Sequence, residues 1–154
     1  MAEMTAEKLL KLLKENRIKF VIIGATAFPV HGYSRATLDI DIFIKPERAN
    51  AQRTRKALKE FGYDVSDITV DDLLTKKILI RQYLVETDIH PVVKGITFKR
   101  VWKNKIKARF GETFVWFACL DDLIKMKKIA GRPKDIEDLK YLLRLKKQTQ
   151  KHQT

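Results

Sequence analysis

The sequence predicts an α/β (α+β) fold, in which helices flank a mixed β-sheet. Three observations indicate this fold. Amphipathic helical segments alternate with short apolar runs in the first half of the chain, at residues 18–23 and 38–44. The stretch "KIKARFGETFVWFA" predicts a hairpin that turns at Gly111. Two helical segments then close the chain, so that strands and helices are interleaved along its whole length.

The first half of the chain is expected to contain three helices. Thr5 can cap a first helix that ends near Asn16, and Gly24 stops the strand that follows it. A short helix in "ATAFPVHG" closes at Gly32. Pro46 suits the first turn of a helix that runs to about Phe61, and its predicted inward side consists of Ala49, Ala57, Leu58 and Phe61.

The second half is expected to begin with a short helix in "DITVDDLLTKK" and strands at about 78–82 and 83–90. Another short helix from Thr97 precedes the hairpin. Asp121 or Asp122 then caps a helix that runs to Gly131. The last helix is predicted to face inward through Ile136, Leu139, Leu142 and Leu143.

We expect a single domain over residues 1–147 and a disordered basic and polar tail at 148–154. The single cysteine, Cys119, excludes an internal disulfide and a four-cysteine zinc site; it fits a reducing compartment and a buried, small apolar position. No apolar run reaches the ~18 residues of a membrane span. The sequence therefore predicts a cytoplasmic protein without a membrane partner.

The charge of the chain is strongly positive, with 32 Lys and Arg against 19 Asp and Glu, a formal net charge of +13. Such a field attracts polyanions such as nucleotides and RNA. A lysine-rich, thermophile-like surface explains the same count. The segment 98–109 interleaves six basic residues with Phe98 and Trp102, which suits either a nucleic-acid surface or a solvated strand with two core anchors.

Two acids interrupt the apolar run 38–44. Alternation places Asp39 and Asp41 on the same side of a strand, with Cα atoms roughly 6.6 Å apart, so both carboxylates can approach one cation. Without a cation, the two like charges oppose folding. Arg35 or Lys45 provides an alternative partner, in a salt-bridged edge strand. The other side of the strand is too apolar for an edge, which favours a metal site.

A later segment, "YLVETDIHPVV", offers a third acid. Alternation places Leu84, Glu86, Asp88 and His90 together, so Asp88 or Glu86 can complete a site if the two strands are neighbours. Hard oxygen ligands point to Mg²⁺ or Mn²⁺ rather than zinc. Two such ions would clamp the attacking and leaving oxygens of a phosphoryl displacement, with one carboxylate as the base.

The segment upstream of these acids suits a phosphate group. Gly24 and small residues lie between a strand end and a helix N-terminus, where free backbone N–H groups favour anions. Thr26 can add a hydroxyl donor. This loop precedes Asp39 closely in the chain, which places a candidate triphosphate site beside the candidate metal site.

The combination of Gly24, the strand with Asp39 and Asp41, and the later Asp88 resembles the nucleotidyltransferase superfamily typified by DNA polymerase beta. Its pattern is hG[GS], then [DE]h[DE]h and one later acid. More narrowly, "GATAFPVHGYSRATLDIDIFI" together with "DLIKMKKIAGRPKDIEDL" is similar to small stand-alone members, including minimal nucleotidyltransferases and proteins of toxin–antitoxin and abortive-infection systems. The likeness covers residues 18–143. It implies that the three aspartates are the catalytic metal ligands, with Gly24 in the phosphate loop.

At one position the chain departs from that pattern, because Ala25 replaces the glycine or serine that follows the first glycine. This change removes a flexible position or a hydroxyl from the nucleotide-binding loop, which Thr26 could compensate. Arg35 fits the R-x-T-x-D-h-D run of these relatives and is a candidate for a phosphate contact or a salt bridge. Lys127 and Arg132 are candidates for substrate contacts at the returning helix pair.

The remaining charged residues of this region have predicted structural roles. Asp135 and Asp138 are expected to act as first-turn helix acids or as partners of Lys127 and Arg132. His31 is expected to pack or cap within its short helix. His90 lies nearer the acids, although a neutral imidazole is a poor magnesium ligand.

Together these observations predict a metal-dependent nucleotidyltransferase that moves an NMP group from an NTP, such as ATP, to an acceptor hydroxyl on an RNA end, a protein or a small molecule. Its cofactors would be two Mg²⁺ or Mn²⁺ ions. The alternatives are a catalytically weak NTP- or metal-binding or antitoxin-like module, and a basic nucleic-acid-binding domain. The short chain favours a homo-oligomer or a partner chain that completes the site, and the resemblance implies a toxin–antitoxin partner as a candidate.

Overall fold

The computed structural model describes residues 4–34 and 39–152. Its helices are α1 (Ala6–Glu15), α2 (Arg48–Phe61), α3 (Asp72–Thr75), α4 (Phe98–Lys103), α5 (Leu120–Ala130) and α6 (Pro133–His152). Its strands are β1 (Phe20–Ile23), β2 (Asp39–Ile44), β3 (Ile78–Ile80), β4 (Glu86–His90), β5 (Ile106–Phe110) and β6 (Thr113–Phe117). A 3₁₀ helix, Gly24–His31, joins β1 to β2. Arg35 and Thr37 lie outside the described residues.

The strands form one six-stranded sheet in the order β3-β4-β2-β1-β6-β5. The β2 strand lies in its interior, antiparallel to β1 and parallel to β4. The β1 strand pairs in parallel with β6, and the other neighbours are antiparallel. The mixed sheet and its helices confirm the predicted fold class, and the interior position of β2 confirms that it is no edge strand.

The core lies between the sheet and its helices. Ile22, Ile42 and Ile44 are fully buried on one side of the sheet, as the alternation in β1 and β2 predicts. The amphipathic α1 begins at its predicted cap, since the Thr5 hydroxyl accepts a hydrogen bond from the Lys8 N–H. This helix packs against α2 and β6 and buries Leu9, Leu10 and Leu13.

The α2 helix differs from its prediction in its first turn. It begins at Arg48, after Pro46, and Ala49 is exposed while Asn50 is buried. The Asn50 side chain bonds the main chain of Lys19 and Lys45, at 2.8 to 3.0 Å. A polar residue therefore takes the inward position because it satisfies backbone groups at the ends of β1 and β2.

The two strands predicted at 78–82 and 83–90 are shorter in the structure, because a turn separates them. Tyr83 has a positive φ of 63°, and Leu84 is 97% exposed. Leu84 therefore does not share a strand face with Glu86 and Asp88, as the sequence had predicted. The hairpin of β5 and β6 turns at Gly111 as predicted.

The two C-terminal helices also differ in detail. Cys119 caps α5, because its Sγ accepts from the Asp122 N–H, so neither Asp121 nor Asp122 is the cap. Cys119 is half-buried rather than buried. In α6, Ile136 is half exposed, whereas Leu142 is fully buried as predicted. This helix continues to His152, into the segment predicted to be disordered, because lysine and glutamine there have good helix propensity.

No helix in the described ranges has both the length and the apolar character of a membrane span.

Candidate active site

The predicted acids meet on adjacent strands. The parallel register of β2 and β4 places Asp41 opposite Asp88 and Asp39 opposite Glu86. Cross-strand partners share one face of a sheet, so the four carboxylates lie on the same side. Alternation predicted which side chains share a face of each strand. The sequence left open whether the two strands are neighbours, and the structure shows that they are.

Three of these side chains form a compact group. One ligand atom each of Asp41, Asp88 and His90 lies within 4.8 Å of the others. The His90 imidazole lies close to Asp41, with Nε2 2.8 Å from Oδ1. Among the residues that the structure describes, Asp39 lies outside this group, although it is on the same face. The sequence had placed His90 near the acids but had not included it in the site.

Arg81 lies among the acids and was missed by the sequence analysis. Its guanidinium donates to Asp88 at 2.7 Å and lies 3.8 Å from Asp39 and 3.7 Å from Glu86. The expected cation Lys45 instead pairs with Glu47. To find Arg81 from the sequence, one would have had to predict that residues 78–80 pair antiparallel with residues 87–89, which brings residue 81 level with residue 86.

Arg81 and Asp88 differ strongly in their exposure to solvent. Arg81 has a side chain 42% exposed, whereas that of Asp88 is 4% exposed. The hydrogen bond to Asp88, with the nearby carboxylates, raises the pKa of Arg81 above its ordinary value. A buried carboxylate requires such a partner. The ligand atoms of Asp41, Asp88 and His90 lie close enough together for a further cation to bridge them.

Gly24 shapes the floor of the site. Its φ is +68°, which favours glycine, and a Cβ at this position would lie 2.6 Å from Oδ2 of Asp41. The absence of a side chain therefore lets the Asp41 carboxylate lie directly against the main chain. Any larger residue would displace that carboxylate.

The two residues after Gly24 have less direct access to a ligand. Ala25 is buried. The Thr26 hydroxyl donates to the Asp39 carbonyl oxygen at 3.2 Å, which ties the 3₁₀ helix to the start of β2. Thr26 thus has a structural contact at the position where the sequence suggested a phosphate donor.

A cavity of about 310 Å³ opens beside the acids. This volume is within the range of small-molecule sites. Gly24, Asp41 and His90 form part of its wall, and its basic residues are Lys77, Lys94, Lys127 and Arg132. Acidic groups that suit a cation and basic groups that suit phosphates therefore line one cavity.

The chain also matches a known protein family. Residues 3–146 match a family described as "Nucleotidyltransferase of unknown function (DUF6036)". The chain belongs to this family. The match covers nearly the whole chain and confirms the resemblance to a small nucleotidyltransferase. Among curated proteins, no relative matches the chain.

In this nucleotidyltransferase family member, the helix pair α5–α6 carries a buried ion cluster. Lys127 lies 2.9 Å from Asp135 and 3.2 Å from Asp138, and both acids are almost fully buried. Arg132 pairs with Asp135 at 2.6 Å. The prediction that these acids partner the two basic residues is confirmed. The charge of Lys127 is therefore largely compensated within the protein.

Two other lysines of the nucleotidyltransferase cavity are free of such pairs. In the described residues 4–34 and 39–152, no salt bridge involves Lys77 or Lys94, and both are exposed. Sequence reasoning missed both, because neither belongs to a recognisable motif. His31, by contrast, contacts the Ala118 carbonyl oxygen at 2.9 Å, so its partner lies after β6 and not within its own short helix, as the sequence had predicted.

The donor set of the site fits a divalent metal ion. Asp41 and Asp88 supply hard carboxylate oxygens, which Mg²⁺ and Mn²⁺ prefer, and His90 supplies a nitrogen that Mn²⁺ accepts more readily. In the absence of direct coordination, His90 would orient Asp41 through their contact. The residues present can thus hold a metal at the edge of the cavity.

Proposed function

We propose that this protein is a metal-dependent nucleotidyltransferase that transfers an NMP group from an NTP to an acceptor hydroxyl. The observation that carries the proposal is the pairing of Asp41 with Asp88 on adjacent parallel strands, beside Gly24 in the wall of a basic cavity. Family membership supports the same reaction class.

In this proposal, Asp39, Asp41 and Asp88 hold divalent ions, and Lys77 and Lys94 contact the triphosphate. When bound, Mg²⁺ or Mn²⁺ supplies charge stabilisation for the phosphoryl group and lowers the pKa of the attacking hydroxyl. The main chain at Gly24 lets the phosphates approach closely. Arg35 remains a candidate for a phosphate contact outside the described residues.

The chemical step is an in-line displacement. The acceptor oxygen forms a bond to the α-phosphorus, and the bond from that phosphorus to the bridging oxygen breaks, which releases pyrophosphate. A carboxylate of the site takes the proton of the hydroxyl. The cavity wall holds the two reactants in one orientation, which accounts for a large part of such catalysis.

A second candidate function is a catalytically weak module that binds an NTP or a metal, as an antitoxin-like protein would. Arg81 favours it, because its guanidinium already compensates Asp88 at 2.7 Å. The compensated charge of Lys127 favours it as well. The transfer assay separates the two candidates.

The test uses each α-labelled NTP with Mg²⁺ or Mn²⁺ and a pool of cellular RNA and protein. We expect label to appear on one acceptor class with the wild-type chain and to disappear with a chelator or with the Asp39→Asn, Asp41→Asn double variant. Asp121→Asn is the matched control, because it removes an exposed carboxylate outside the site. Metal-dependent NTP binding without transfer would replace the proposal with the second candidate.

Arg81→Gln is expected to destabilise the metal-free protein by about 2 kcal/mol, because Asp88 is buried and loses a charged hydrogen-bond donor. The same variant is expected to bind Mn²⁺ more tightly, since no guanidinium competes for the carboxylates. Urea unfolding with and without Mn²⁺ measures both effects.

The control for this variant is Arg48→Gln, which removes an arginine whose pair with Asp71 is exposed. We expect it to change stability by less than about 1 kcal/mol and to leave metal binding unchanged. Equal effects of the two substitutions would show that Arg81 has no special role at the acids.

A further inference from the structure

The outer side of the β5–β6 hairpin carries aromatic rings and basic residues together. Lys107 pairs across the hairpin with Trp116, and Arg109 pairs with Phe114, so these four side chains share one face. Trp102 of α4 joins them, with its ring 6.3 Å from that of Trp116 in an edge-on arrangement. We call this set, with Lys105, the basic–aromatic face.

The cations of this face lie over its rings. Lys105 Nζ is 3.9 Å from the centroid of Trp102 and 4.6 Å from that of Trp116. Lys107 and Arg109 lie over Phe114 at 5.1 and 5.0 Å. Within the described part of the chain, none of these three cations forms a salt bridge. Lys105 Nζ also donates to the Trp102 carbonyl oxygen at 3.1 Å, whereas the charges of Lys107 and Arg109 are available to an external anion.

The basic–aromatic face continues into a second cavity, separate from the candidate active site. This cavity of about 470 Å³ has the rings of Phe98 and Trp102 in its wall, and its basic residues are Lys19, Lys45 and Lys99. The pattern of rings flanked by lysines thus extends beyond the hairpin. Among the described residues, those that line this cavity include no acid.

The exposure of the rings distinguishes this face from an ordinary charged strand. Phe114 is 41% exposed, and Trp102 and Trp116 are each partly exposed. Phe98 is a buried anchor, as one sequence interpretation predicted. A solvated edge strand needs charges, but it does not need exposed aromatic rings beneath them. The rings indicate a ligand that has flat apolar groups as well as negative charge.

We propose that the basic–aromatic face binds single-stranded nucleic acid, with bases stacked on Phe114, Trp116 and Trp102 and phosphates on the flanking cations. A base–aromatic stack is stronger than an exposed cation–π contact, so the cations can leave the rings for phosphates. The net charge of +13 supports association with a polyanion. A duplex does not present free base faces, and an acidic peptide lacks them.

The face lies on the same side of the sheet as Asp41. The β1–β6 register pairs Ile22 with Phe117, so these two side chains lie on one side of the sheet. Trp116 and Ile23 are their neighbours along the two strands, and both therefore project to the other side. Ile23 in turn pairs with Asp41. A bound strand would therefore occupy the sheet side that carries the acids. Binding at the face does not require the proposed transfer activity, so the two are tested separately.

The experiment titrates the protein with single-stranded oligouridylate of about 12 nucleotides, a length that one compact domain can contact. The chain contains two tryptophans, and both belong to the basic–aromatic face. We expect stacking to quench the intrinsic tryptophan fluorescence, and affinity to fall as salt rises. Phe114→Ala is expected to weaken binding at least about fivefold. Lys107→Gln with Arg109→Gln is expected to lower the salt slope by about 1.4.

The matched control is Lys11→Gln with Lys56→Gln, which removes the same charge from exposed positions on α1 and α2. We expect a smaller loss of affinity and no change in quenching. Thermal unfolding of each variant verifies that the fold is retained. Absence of quenching, equal losses in the two charge variants, or equally tight binding of polyglutamate or an RNA duplex would each overturn the proposal.

Discussion

Replacing Asp41 by asparagine is expected to reduce nucleotidyl transfer at least about 100-fold without loss of stability. Loss of an outer partner of a metal ligand commonly costs 10- to 100-fold in activity, and loss of a proposed ligand should cost more. Asparagine retains the shape of the side chain and can still contact His90, 2.8 Å away in the wild type. Removing one charge also reduces repulsion among the neighbouring acids.

Two measurements on the wild type and the variants test this prediction: the transfer rate, and the thermal stability with and without Mg²⁺. A ligand that binds the native state raises its stability, so the wild type should gain stability with metal and the variant should gain less. Asp121→Asn should behave as wild type in both measurements. If Asp41→Asn lost activity together with stability, its effect would be structural, and the proposed metal role would fail.

Replacing Asp135 by alanine is expected to lower the free energy of unfolding by about 3 kcal/mol, because a buried ion cluster loses its central acid. Asp135 is fully buried, and its carboxylate holds both Lys127 and Arg132. The estimate lies at the lower end of the usual range because Lys127 keeps Asp138 at 3.2 Å. Urea unfolding at neutral pH measures the change.

The pH dependence gives this prediction a second readout. Burial acts to raise the pKa of Asp135, but hydrogen bonds from Arg132 and Lys127 outweigh it, and the pKa lies well below its ordinary value. A carboxyl with a lowered native pKa stabilises the fold above its unfolded pKa of about 4 and loses this contribution as the pH falls toward the native value. The stability difference between wild type and Asp135→Ala should therefore narrow below about pH 4.

The control for Asp135 is Asp121→Ala on α5, an acid that is 64% exposed and pairs with Lys146 at 3.0 Å. Exposed pairs contribute at most about 1 kcal/mol. A similar loss of unfolding free energy for both substitutions would contradict the role assigned to the buried cluster. So would a stability difference between wild type and Asp135→Ala that did not change with pH.

The sequence predicted those parts of the site that depend on local alternation. Asp39 and Asp41 share a face because strand geometry requires it, and Asp88 follows from the same rule in β4. Which strands are neighbours depends on tertiary packing, so Arg81 was missed although it touches Asp88. The two predicted partners, Arg35 and Lys45, are next to β2 along the chain, whereas Arg81 directly follows β3.

Helix boundaries were less predictable where a side chain acts through a distant backbone group. Asn50 is buried because it bonds the ends of two strands, and a periodic pattern of apolar residues cannot reveal such a partner. Cys119 caps α5 although two acids follow it, so the helix begins two or three residues earlier than a cap at Asp121 or Asp122 would place it. The roles of the site residues themselves remain predictions for the assays above.

The pairing of β2 with β4 also bears on how the chain folds. His90 and Asp41 are 49 residues apart in sequence, so bringing them together requires closing a long loop, which slows folding. The acids are therefore dispersed in any intermediate that contains only local hairpins and helices. A divalent cation would then have no assembled pocket in such an intermediate, and it would slow unfolding rather than accelerate refolding.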